Sequence, residues 1–245
     1  MEKLAVFIPA AVLISIALQR FCRRRMDTGQ YNYFRDLLVV AVWLLAALWA
    51  GSPPSRFVIA MAVAASLIGT CQHIRPHWAW KAAYLAIGLI FGLFGPGIDF
   101  IGLSEGQYHY LSPQASVALT ALWFGIFPVL LQQLDNIPGM AGHILAVSFS
   151  LLLMATVFSG QSLPDAFFMS LCGLCILGAF WSRHGHMFRR MGDSLSALWG
   201  VLLAGTSVLG VSKGITFSAF MLLPLGLFAI PIAEASLHFA SLALA

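Results

Sequence analysis

Apolar residues run along this chain in blocks of roughly fifteen to twenty, each block closed by a short polar, charged or Gly/Pro-containing stretch. A helix needs about 20 mainly apolar residues to cross the hydrocarbon core of a bilayer. On that basis the pattern predicts about nine spans, over 4–19, 37–51, 57–71, 79–95, 115–134, 143–158, 165–181, 194–211 and 215–232. The shorter blocks need snorkelling flanks or local bilayer thinning to span. The longest connection free of Lys and Arg, 96–114 (GPGIDFIGLSEGQYHYLSP), is rich in Gly, Pro and Ser and predicts a loop with interfacial aromatics.

Composition narrows the class. The 245 residues are 60% hydrophobic and 9% charged, with a mean hydropathy of +0.89, against about 25% charged in an ordinary soluble domain. A water-soluble globule of this composition would expose a very large apolar surface. A formal net charge of +4 spread over so few charges is not a basic stripe, so nucleic acid is not an expected partner. The predicted fold is all-α, a polytopic membrane protein forming a single domain over 1–245.

The charges also orient the chain. Arg20, Arg23, Arg24, Arg25, Arg35, Arg75, Lys81, Arg183, Arg189 and Arg190 fall on alternate connections, whereas Lys3, Arg56 and Lys213 fall on the others. Basic connections stay cytoplasmic, which predicts an outside N-terminus and, for an odd count, a cytoplasmic C-terminus. The basic flank after 4–19 reads as the end of a membrane helix rather than a cleavable leader. Cys22 and Cys71 are isolated. Cys172 and Cys175 form a C-x-x-C inside an apolar run, open either to packing or to a zinc or redox pair.

In such a chain the rare polar groups at helix ends carry the information. Three cytoplasmic connections stand out: 69-GTCQHIRPHWAWK-81, 132-QQLDNIPGMAGH-143 and 178-GAFWSRHGHMFRRMGDSLS-196. Asp135 and Asp193 are costly to desolvate alone, so each calls for a basic partner, a metal or water. Asp193 follows Met191-Gly192 at the start of a small-residue helix. There it serves either as a capping carboxylate or, with Arg183, Arg189 and Arg190 nearby, in holding Mg²⁺ and a diphosphate. Gly200 and Gly205 on that helix suit close packing, and Pro128 is the one central breaker within its span.

Taken in order, these segments resemble the polyprenyl-phosphate N-acetylhexosamine-1-phosphate transferases, glycosyltransferase family 4-like enzymes of the phospho-MurNAc-pentapeptide translocase superfamily. Met26-Asp27-Thr28 is similar to the family's Asp-x-Pro segment. Gly69-Thr70-Cys71-Gln72-His73 falls where the family has Gly-x-x-Asp-Asp. Leu134-Asp135-Asn136-Ile137-Pro138-Gly139-Met140-Ala141 resembles Ile-Asp-Gly-hydrophobic-Asp-Gly-Leu-Ala. The stretch from Gly178 to Asp193 keeps the spacing from a helix-ending Gly to Met-Gly-Asp. Pro224-Leu225 and Ile230-Pro231-Ile232-Ala233-Glu234 look like the family's penultimate helix.

The resemblance implies a bacterial-type inner membrane and a site that moves a phospho-sugar from a UDP-sugar to a polyprenyl phosphate with Mg²⁺. It assigns catalysis to Asp135, metal to Asp193 and the diphosphate to Arg183, Arg189 and Arg190. The departures are as specific. Gln72 and His73 replace the paired carboxylates, Gln132 replaces an Asn, and Pro138 replaces the second Asp of its motif. The basic, His-rich loop that clamps the nucleotide has no equivalent.

Phosphoryl transfer depends on positioning and charge neutralisation, so losing several such groups together weakens both metal and diphosphate binding. The expected function is therefore a shortened, catalytically degenerate homologue that binds a lipid phosphate or a membrane partner, including a second copy, in envelope-glycan synthesis. Two alternatives stand beside it. One is an active Mg²⁺-dependent transferase assisted by His73, His184 or His186; the other is a transporter, which would need ionisable groups or broken helices near the midplane.

Overall fold

The computed structural model describes residues 28–49, 52–74, 77, 79–102, 108–137, 139–158, 164–181 and 190–211. These residues form seven helices and one short hairpin. In chain order they are α1 (Thr28–Trp49), α2 (Pro53–Ile74), α3 (Ala79–Phe94), β1 (Phe100–Gly102), β2 (Tyr108–Tyr110), α4 (Pro113–Leu134), α5 (Met140–Phe158), α6 (Pro164–Trp181) and α7 (Asp193–Val211). Seven of the expected spans thus coincide with helices; 4–19 and 215–232 lie outside the described residues.

Helix starts follow their sequence signals. Pro113 opens α4 behind Ser112, whose side-chain oxygen accepts from the Ala115 N–H at 3.3 Å. Pro53 and Pro54 open α2 behind Ser52, whose Oγ accepts from the Ser55 N–H at 3.4 Å. The expected loop 96–114 contains the hairpin, an antiparallel pair with Phe100 opposite Tyr110. It is fixed to α4: the Ile98 N–H donates to Thr120 Oγ1 at 3.0 Å, and Ser116 Oγ donates to Asp99 Oδ1 at 3.0 Å.

Helix α7 is the axis of the bundle. Every residue over 195–209 is buried, as expected of a helix that is apolar or small on all sides. It packs most extensively against α2 and α4, α3 against α4, and α5 against α6. Small residues permit the approach. A Cβ at Gly200 would stand 2.6 Å from Pro128 Cα, and one at Gly205 would overlap Val58. Trp43 and Phe149 meet Trp199 edge-on, with centroids 5.7 and 5.8 Å away. Trp123 Nε1 donates to Ser207 Oγ at 3.0 Å, and Ser207 Oγ donates to the Ala204 carbonyl.

Outward faces are apolar. Leu37, Leu44 and Leu48 on α1, Leu85, Leu89 and Leu93 on α3, Leu122 on α4 and Met154 on α5 are all exposed. Three helices, α2, α4 and α5, are long and apolar enough to cross a membrane. The apolar stretches Leu37–Trp49, Ala79–Phe94, Pro164–Gly178 and Asp193–Leu209 are shorter.

Candidate functional site

The polar residues singled out in the sequence gather where the C-terminal ends of α2 and α4 meet the N-terminal ends of α3 and α7. Gly69 makes this meeting close: a Cβ there would stand 2.5 Å from the Asp193 carbonyl oxygen. Around it, hydroxyls pair between α2 and α7. Ser66 Oγ lies 2.8 Å from Ser194 Oγ, and Thr70 Oγ1 lies 3.2 Å from the same oxygen.

Asp135 sits just past the end of α4 and is 7% exposed. Its Oδ1 accepts from the Met191 N–H at 2.7 Å and its Oδ2 from the Gly192 N–H at 2.8 Å. A carboxylate at the C-terminal end of its own helix faces an unfavourable dipole; the N-terminus of α7 supplies the opposite one. Charge-assisted bonds from two consecutive N–H groups therefore make Asp135 the fastening of α7 to α4. Gly192, at φ +86°, provides the left-handed turn into α7.

One residue into that helix start, Asp193 is half-buried. Its Oδ2 lies 3.5 Å from Nδ1 of His73, an exposed residue at the end of α2. Beneath this pair lies a neutral network. Gln132 Nε2 donates to Tyr84 Oη at 2.8 Å and to the Asp193 carbonyl at 3.3 Å. Tyr84 Oη donates to Gln72 Oε1 at 3.1 Å, and Gln72 Nε2 donates to Gln132 Oε1 at 3.4 Å.

The structure thus brings together Gln72, His73, Gln132, Asp135 and Asp193. Arg190 is exposed beside Met191. Arg183, Arg189 and Pro138 lie outside the described residues. Tyr84 is the residue that sequence reasoning missed. A Tyr about one and a half turns inside an apolar helix reads as an interfacial aromatic, and only the register of α3 against α2 and α4 reveals its partners. Pro128, the central breaker of its span, is buried against Gly200.

These groups do not fit a protein-held Mg²⁺. Both oxygens of Asp135 are engaged by backbone N–H groups, and Gln72 and Gln132 are engaged with each other and Tyr84. Among the described residues no group of three or more His, Cys, Asp or Glu gathers where it could hold a metal. Asp193 is left as one carboxylate beside an imidazole, a weak set for a hard cation.

Neither a protein-family model nor a curated protein matches the chain.

Proposed function

We propose that this chain is a multi-pass protein of the bacterial inner membrane, with about nine spans, its N-terminus outside and its C-terminus cytoplasmic. In this reading it is a non-catalytic relative of the UDP-sugar:polyprenyl-phosphate phospho-sugar transferases. It serves envelope-glycan synthesis as a lipid-phosphate-binding or partner subunit.

One observation carries the reading. At the end of the bundle where the resembling enzymes would need carboxylates, this chain has a self-satisfied network of two amides and a phenol, and Asp135, the one buried carboxylate among the described residues, fastens a helix. An amide cannot supply a carboxylate's charge. Losing a single preorganised electrostatic group costs about 10²–10³ in rate, and several are replaced together here. A helical scaffold with apolar outer faces and a polar inner end remains, suited to holding a lipid headgroup or a partner helix.

The test uses purified full-length protein with UDP-GlcNAc or related UDP-sugars, polyprenyl phosphate and Mg²⁺. The expected result is UMP release no higher than from Asp193→Asn. UMP release that depends on Asp193 would replace this reading with that of an active transferase. Native mass spectrometry from unextracted membranes should find bound polyprenyl phosphate or a co-purifying membrane protein; finding neither counts against the subunit role.

A further inference from the structure

The network at the inner end of the bundle has a direction, and the direction comes from the backbone. The Asp193 carbonyl can only accept, so the Gln132 atom facing it at 3.3 Å must be the amide nitrogen. The same nitrogen faces Tyr84 Oη at 2.8 Å, which makes the phenol oxygen the acceptor there. That nitrogen also lies 3.3 Å from Gln72 Oε1, so the two Gln132 N–H hydrogens are shared among three acceptors, Tyr84 Oη the nearest. The single Tyr84 hydroxyl hydrogen goes to Gln72 Oε1, and the Gln72 amide nitrogen is turned towards Gln132 Oε1. Flipping the Gln132 amide would set its oxygen against the Asp193 carbonyl oxygen, so the ring runs one way only.

Both ends of this ring lead to the His73–Asp193 pair. Gln72 is the neighbour of His73 on α2, and Gln132 holds the carbonyl of Asp193, whose carboxylate lies 3.5 Å from His73 Nδ1. We propose that Tyr84 is the positioning residue of this end of the bundle: through its one-way ring with Gln72 and Gln132 it sets the first turn of α7, and with it the Asp193 carboxylate, against His73. The phenol is the one member that both accepts from Gln132 and donates to Gln72. Replacing it with Phe breaks two bonds of the ring without changing ring volume, and leaves Gln72 and Gln132 only their long direct amide contacts of 3.3 and 3.4 Å. The inference rests on the proposed function only in treating this end as the working one.

Full-length protein labelled with ¹⁵N-histidine in lipid nanodiscs provides the test, with His73→Asn assigning the His73 imidazole signal. In Tyr84→Phe the His73 signal is expected to move towards that of a freely solvated imidazole. Amide protection in the first turn of α7 is expected to fall by about tenfold, as for loss of a buried hydrogen-bond link. Ser55→Ala, at the opposite end of α2, should leave the His73 signal in place. If Tyr84→Phe leaves both the signal and the protection unchanged, the positioning role is overturned. Should that variant not fold, Gln132→Met is read by the same two measurements with the same outcomes. Failure to find polyprenyl phosphate or a partner, with the Tyr84→Phe shift present, overturns the proposed function and leaves the ring standing.

Discussion

Gly200 on α7 lies against Pro128 on α4 so closely that a Cβ at residue 200 would stand 2.6 Å from the Pro128 Cα and 2.7 Å from its nitrogen. The obstacle is backbone, so the clash cannot be relieved by a rotamer change. Gly200→Leu is expected to destabilise the bundle by about 1–3 kcal/mol, the usual range for overpacking, or more. A thermal melt in detergent reads this as a lowered midpoint, and an unchanged midpoint would contradict the α4–α7 contact.

Two buried helix fastenings should differ in weight. Asp135→Ala removes the acceptor of two backbone N–H groups, at an expected cost of about 1–3 kcal/mol per donor left unsatisfied. Ser55→Ala removes one hydroxyl that donates to Asp165 Oδ1 at 3.1 Å, at an expected cost of about 0.5–1.5 kcal/mol. Hydrogen exchange should show the first loss locally at Met191 and Gly192. Equal melting midpoints for the two variants would refute the ranking.

Gly192 and Gly178 isolate backbone conformation from packing, because a Cβ at either meets nothing within 4 Å. Gly192 has φ +86°, whereas Gly178 lies within α6. Gly192→Ala is therefore expected to cost about 1–2 kcal/mol through the left-handed penalty alone. Gly178→Ala should be neutral or stabilise by up to about 1 kcal/mol through helix propensity. Opposite signs in paired melts are the expected outcome; equal shifts would mean that the turn before α7 is not left-handed.

The proposed orientation predicts labelling. In a background lacking the other cysteines, Cys71, exposed on α2, should resist a membrane-impermeant maleimide in intact spheroplasts and react after lysis. Ser112→Cys, at the exposed start of α4, should react without lysis. The reverse pattern would invert the topology.

How much of this was legible in the residues differs between backbone and site. Expected spans such as 115–134 match α4 because hydropathy ends where Ser112-Pro113 and Asp135 punctuate it. The span 37–51 starts nine residues after α1 does, at Thr28. Hydropathy reports which residues avoid water, and the polar stretch TGQYNYFRD belongs to the same helix without that signal. Gln72, Gln132, Asp135 and Asp193 were visible as rare polar groups among apolar neighbours. Tyr84 and the Ser66–Ser194 pair were not. A phenol or hydroxyl is cheap enough in an apolar helix to need no explanation, and Ser66 and Ser194 are 128 residues apart in the chain.

The enclosure of α7 has a consequence for biosynthesis. A helix whose residues 195–209 all face protein presents no lipid-contacting side. Helices α2 and α4 emerge from the ribosome earlier and carry the surfaces it needs, including the shallow seat at Pro128. In the proposed nine-span reading, α7 is then expected to complete its insertion by docking on α2 and α4. In that reading a chain that loses α2 or α4 should leave α7 without the surfaces that enclose it and expose it to quality-control proteolysis, although its own residues are intact.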